Sequence, residues 1–297
     1  MSTVNPNIQK QPKDNYNTKL HIKSGILFFV CVLLTIICIL PIYLLIVNST
    51  KDTTAIRGSF SLIPGSKFIE NFNTISGGEK FPNFDALLGF RNSAIITVSA
   101  TFLSVFFSAL TAYGLYVYDF KLRGPAYTFI LGVMMVPMQV SSIGFLKFVI
   151  NLGWYGSFLP LILPTIAAPA IVFFMRQYLQ SSFPLDIVEA ARIDGCGEFR
   201  TFLTIAIPMM KPAIAVQAIF AFIANWNNLY MPNMLLGSSD THKTLPMMIN
   251  GLISDDKNSD YGAFYCAIAI SILPLIIAYL IFSKFIVEGV ALGGVKE

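Results

Sequence analysis

The sequence predicts an all-α membrane protein of six helical spans, with both termini on one side. Three observations carry that reading. Hydrophobic residues make up 55% of the chain and charged residues 12%, about half the charge of an ordinary soluble domain. Six stretches are apolar for about the 20 residues that a bilayer crossing needs. Lys and Arg are biased toward alternate loops, as cytoplasmic loops require.

Residues 1–25 read as a polar tail and residues 26–297 as the spanning domain. The first span, Ile26 to Val47, is too long for a cleavable leader, and no small-x-small site follows it. The second runs from Asn92 to Val117 and the third from Ala126 to Ile150. The fourth, Ser157 to Met175, carries Pro160, Pro164 and Pro169, a spacing that kinks or locally opens a helix. The fifth covers Ala213 to Leu236 and the sixth Ala263 to Phe285. With the N-terminus inside, twelve Lys and Arg fall on inner segments and seven on outer ones. Both termini are then cytoplasmic, and the large outer loops are Asn48 to Arg91 and Gly237 to Tyr261.

Several function classes recede on composition. The net charge of +4 suits basic flanks on an anionic membrane face and lacks the basic, aromatic stripe of a nucleic-acid surface. The four cysteines are scattered, and His21 and His242 stand alone, so metal binding and thiol chemistry have no cluster to use. An intramembrane enzyme would need a nucleophile with a base inside the spans, and no His or carboxylate is there. No cofactor is expected on this chain. An ion-coupled secondary transporter of small polar solutes is the alternative reading. Such carriers keep ionisable groups at mid-membrane, where a charge costs about 2.5–3.5 kcal/mol or more. Lys147 alone lies well inside a span, near its outer end, where its side chain can snorkel.

Polar side chains in lipid should face the bundle interior. In the second span Ser93, Thr97, Thr101, Ser104, Ser108 and Thr111 recur at helical steps. In the third, Gly132, Met135, Gln139 and Ser142 do so beside Pro137, and in the fifth Gln217, Ala221, Asn225, Asn228 and Pro232. Small hydroxyl residues also line tight helix contacts, so packing is the better reading of the second span's stripe. Gln139, Ser142, Asn225 and Asn228 are candidates for a solute pathway. Trp226 could stack on a sugar ring, although it lies off the Asn225/Asn228 face.

Segment 182–212 breaks the apolar pattern with Glu189, Arg192, Asp194, Glu198, Arg200 and Lys211. Pro184 suits a first helical turn, Leu185 to Asp194 has no breaker, and Gly195 suits a C-terminal cap. Asp186 and Glu189 sit early and Arg192 late, in accord with the helix dipole. Ala190 and Ala191 offer a smooth patch for another protein. After Gly195, Cys196 and Gly197 a second helical stretch runs from Glu198 toward Ile207, and Pro208 and Pro212 mark re-entry. A solvated connector is the plainer reading of such a charge run.

The segment resembles the E-A-A-x-x-x-G-x(9)-I-x-L-P motif of membrane subunits of ABC importers that work with a binding protein. Glu189, Ala190, Ala191, Gly195, Ile205 and Pro208 match, and Ile207 stands where Leu is usual. "PIYLLIVNSTK", "ARIDG", "NWNNLYMPNMLL", "KTLPMMI" and "FIVEGVALGGVKE" are similar to maltose-type and multiple-sugar permeases, with Gly294 where Ala is common. The resemblance implies a permease of the bacterial plasma membrane, embedded in lipid, for a sugar or oligosaccharide. It implies a second permease subunit, two cytoplasmic ATP-binding subunits that use ATP and Mg, and an extracytoplasmic solute-binding protein. It also implies that Glu189, Ala190, Ala191, Arg192, Asp194, Gly195, Ile205, Ile207 and Pro208 couple the spans to the ATPase. The chain has no G-x-x-x-x-G-K-[ST] phosphate loop of its own.

Overall fold

The computed structural model of the chain describes residues 14–76, 84–237, 241–253 and 259–293. The first half of the expected tail and Gly294 lie outside the described residues. Every regular element described is helical. Four stretches are long and apolar enough to cross a membrane alone: Ile22–Ser49, Ala86–Val117, Leu159–Ser182 and Tyr261–Lys284. Two bent helix pairs raise the number to six if each counts as one span.

Helix α1 (Asp14–Ser49) starts inside the stretch expected to be tail. Few of its spanning residues are buried within the chain, and it meets the bundle mainly at its C-terminal end. There Val47 and Ser49 are buried. Its backbone bonds close within the helix, the solution a lipid environment demands. The loop after α1 then folds into α2 (Thr53–Gly58), capped by Asp52, and α3 (Phe68–Ile75). Asn71 ties this loop down by donating to the carbonyls of Ser49 and Lys51 at 2.9 and 2.8 Å.

Helix α4 (Ala86–Val117) is the centre of the bundle. Asp85 caps its first turn, accepting from Leu88 N–H at 2.9 Å. Ser93, Thr97, Thr101, Ser104 and Ser108 are all buried, with Ala100, Ala109 and Ala112. These small residues let neighbouring helices approach closely, so most of the stripe serves packing. Thr111 departs from it and is exposed.

The third span is not the single helix expected over Ala126–Ile150. Helices α5 (Arg123–Met134) and α6 (Met138–Asn151) meet at 98°. Pro137 sits at the joint with φ −64° and ψ 126°. It supplies no N–H, and the residue before a proline avoids helical backbone. One apolar run therefore yields two helices.

The fourth span is built in pieces, each opened by a proline. Pro160 begins α7 (Leu159–Ile162), Pro164 a 3₁₀ turn (Leu163–Ile166) and Pro169 helix α8 (Pro169–Ser182). Hydroxyls satisfy carbonyls freed at the breaks. Ser108 Oγ donates to Ala168 O at 3.3 Å and Thr165 Oγ1 to Ile162 O at 2.6 Å.

Helix α9 (Asp186–Ile193) follows, then α10 (Glu198–Thr201), a π-helical turn (Phe202–Ala206) and α11 (Ile207–Met209). Pro184 lies outside α9, with Leu185 as its cap, and not in the first turn as expected. The fifth span is also shorter than Ala213–Leu236. Helix α12 (Lys211–Trp226) ends at the Asn-rich stretch, and α13 (Tyr230–Leu235) resumes three residues later. Asn228 Oδ1 accepts from Met231 N–H at 3.2 Å, so an Asn side chain opens α13 instead of continuing α12. After α14 (Leu245–Gly251), α15 (Tyr261–Ser271) and α16 (Leu273–Gly293) make the sixth span, broken only at Ile272.

Candidate functional site: a charged helix and an uncharged cavity

Helix α9 ends in a complete C-terminal cap. Gly195 takes φ +75°, where an L side chain is strained. Its N–H bonds Arg192 O at 3.0 Å, and Cys196 N–H bonds Ala191 O at 2.9 Å, the paired bonds of a Schellman turn. Val188 and Ala191 face inward. Glu189, Ala190, Arg192, Asp194 and Gly195 are exposed. Of the two alanines, Ala190 is exposed and Ala191 buried, since successive helical residues point about 100° apart. Ile193 is 87% exposed, an apolar side chain at the tip of a charged helix that sequence reasoning passed over.

Ala190, Ala191, Asp194, Gly195 and Ile205 gather around a hollow of about 530 Å³ between α9 and the arm that follows. Arg200 and Cys196 share it. Ile207 and Pro208 lie outside it, further along that arm.

The charges beside the hollow are organised. Arg192 Nε donates to Glu198 Oε1 at 2.7 Å and Arg192 Nη2 to Oε2 at 3.2 Å. Tyr118 Oη donates to Glu198 Oε2 at 2.6 Å. The Arg192 and then the Tyr118 hydrogen bonds hold the Glu198 carboxyl below its ordinary pKa. Burial first, then the Glu198 bond, pushes the Tyr118 phenol up to about 12. Tyr118 therefore stays a donor and Glu198 a charged acceptor throughout the neutral range.

A second cavity, of about 500 Å³, opens between α4, α6, the broken fourth span and the α12–α13 junction. Ser104, Ser142, Asn225 and Asn228 supply polar groups, and Met138, Phe145, Pro164 and Met231 supply apolar ones. No lining side chain is ionisable. Ser142 Oγ lies 2.8 Å from Tyr230 Oη. Asn225 Nδ2 donates to Ala221 O at 2.8 Å.

Three of the five pathway candidates thus meet here: Ser142, Asn225 and Asn228. Gln139 is exposed but does not line the cavity; on α6 the lining face is Met138, Ser142 and Phe145, and Gln139 points about 100° away from Met138. Trp226 is 3% exposed. Its indole donates to Ser271 O at 3.0 Å and stacks on Phe222 with centroids 5.9 Å apart. It belongs to the core under α15. Lys147 is exposed and lines neither cavity.

Residues 104–291 match the family model described as binding-protein-dependent transport system inner membrane component. The chain belongs to this family. It is a non-catalytic permease subunit with a multi-pass helical bundle, and the ion-driven carrier reading falls away. It is 34% identical over 274 residues to the arabinooligosaccharides transport system permease protein AraQ of Bacillus subtilis (strain 168), covering 91% of this chain and 94% of that one. It is 33% identical to the trehalose/maltose transport system permease protein MalG of Thermococcus litoralis, covering 93% and 98%. A crystal structure of a bacterial ABC transporter involved in import of the acidic polysaccharide alginate superposes with a TM-score of 0.73. The match covers 93% of this chain and 99% of that one at 20% identity, which speaks for the fold alone.

Proposed function

We propose that this permease subunit imports an uncharged oligosaccharide and is driven through α9 by a cytoplasmic ATPase. A second permease chain completes the pathway. An extracytoplasmic binding protein delivers the solute to the outer loops, and two ATP-binding subunits hydrolyse ATP with Mg. Both termini of this chain lie on the cytoplasmic side, in a bacterial plasma membrane.

The single observation that carries the coupling role is the surface of α9. Glu189, Ala190, Ile193 and Gly195 project outward from a capped helix whose other face, Val188 and Ala191, is packed. An exposed Ile beside small residues and one carboxylate fits a groove on a partner protein better than it fits water. ATP binding closes the ATPase pair, α9 shifts with it, and the spans turn their opening outward. Hydrolysis resets them.

The substrate class follows from the 500 Å³ cavity. Hydroxyl and amide groups beside Met and Phe suit a polyhydroxylated ring, which offers both hydrogen-bonding edges and apolar faces. A carboxylate or phosphate would enter without a cation to meet it, at a high desolvation cost. The relatives' arabino-oligosaccharides, maltose and trehalose are uncharged, and the alginate of the structural relative is acidic.

The test is uptake by the reconstituted importer of labelled arabino-oligosaccharides, maltose, trehalose and an alginate oligosaccharide. ATP-dependent uptake of one or more neutral sugars, with none of the alginate fragment, is the expected outcome. Uptake of the alginate fragment alone would refute the substrate reading.

A further inference from the structure

Both flanks of α9 rest on the last turns of α4. On the entry side, Tyr116 Oη donates to Phe183 O at 2.9 Å, and their rings meet edge-on at 6.3 Å. On the exit side, Tyr118 Oη holds Glu198. Behind both, the buried Tyr113 ring packs on Phe183 at 6.2 Å and on Phe202 at 5.3 Å.

The exit turn contains Gly195 and Gly197, and two glycines within three residues make a natural hinge. The Arg192–Glu198 fork spans that turn, with Arg192 before it and Glu198 after it. The Arg192 guanidinium also stands 5.8 Å from the centre of the Tyr118 ring. A hinge works only where φ and ψ are free to change. Here the entry to α9 is pinned at Phe183 and the glycine hinge at its exit is strapped across.

We propose that Tyr113, Tyr116 and Tyr118 form a seat that, with the Arg192–Glu198 strap, makes α4 and the α9 segment one moving body. They are positioning residues for force transmission, and the proposal rests on the coupling reading of α9. An exposed ion pair contributes little by itself. The seat acts through the number of its attachments and the burial of Tyr113. Helix α4 also carries Ser104 in the cavity wall, fourteen residues from Tyr118, or about 21 Å along a helix. A push on α9 is therefore delivered to the cavity by the stiffness of one helix, without a separate relay.

The experiment uses the assembled importer in lipid nanodiscs, with the four native cysteines replaced. Spin labels are placed at Val98→Cys on α4 and Leu185→Cys beside α9, both exposed positions. The expected interlabel distance is the same without nucleotide and with ATP bound, to within the ~1–2 Å of ordinary helix adjustments. In the Tyr116→Phe/Tyr118→Phe double variant the distribution should shift or broaden on ATP binding, while the ATPase still co-purifies. A larger shift in the wild type, or a double variant that behaves as the wild type does, overturns the seat. The Gly195→Trp variant leaves the tyrosines untouched. If it retains the ATPase at wild-type stoichiometry and couples normally, the reading of α9 has failed instead.

Discussion

The α9 segment and the 500 Å³ cavity are opposites in construction. The segment is charged and exposed, and its turn is closed by short-range devices, a Schellman cap at Gly195 and an ion pair six residues across, before the α4 tyrosines hold its flanks. The cavity is uncharged and assembled from residues between Ser104 and Met231 that no local rule connects. The contrast teaches how differently local and non-local sequence builds a site. Charged side chains gather on the exposed α9 segment, and the polar groups lining the cavity are hydroxyls and amides. Helix α4 touches both regions, with tyrosines at one end and Ser104 partway along.

Placing a charge in the cavity should erase this contrast with the largest effect. Asn225→Asp puts a carboxylate among groups that include no cation. Uptake of a neutral sugar should fall about tenfold, equivalent to about 1.4 kcal/mol. Basal ATP hydrolysis and the amount of inserted chain should not change. Unaltered uptake would mean that Asn225 does not face the solute. Trp226→Phe should have the smaller effect and sharpen the boundary of the cavity. It removes the indole bond to Ser271 O, worth about 1 kcal/mol. A lower melting temperature with unchanged sugar affinity is expected, whereas a weakened affinity would return Trp226 to the pathway.

How much could be read in advance depended on distance along the chain. The first, second and sixth spans follow from apolar runs of sufficient length, and their ends shift by only a few residues. Helix α9 was legible because its stop signal, Gly195, is local. The 98° joint at Pro137 was not, because the run from Ala126 to Ile150 stays apolar across it and hydropathy is blind to direction. That joint split the expected face, so that Ser142 lines the cavity with Met138 and Phe145 and Gln139 does not, and the early end of α12 separated Asn225 from Asn228. Both asparagines still reached the cavity, where they are half-buried, since an amide withdrawn from water needs a polar setting. Trp226 was ambiguous in sequence because a stacking platform and a core residue look alike. The Tyr118–Glu198 bond had no sequence signal, for eighty residues separate its partners.

The most direct test of the account is ATP-driven sugar uptake by a Gly195→Trp variant in membrane vesicles, with ATPase co-purification measured on the same material. Gly195 combines a φ of +75° with open space around its α-carbon. The substitution therefore disturbs the end of α9 and its outer surface without striking the core. Uptake should fall to background while the chain remains inserted and the spans folded. Wild-type uptake with the ATPase still bound would contradict the claim that α9 couples this permease to ATP.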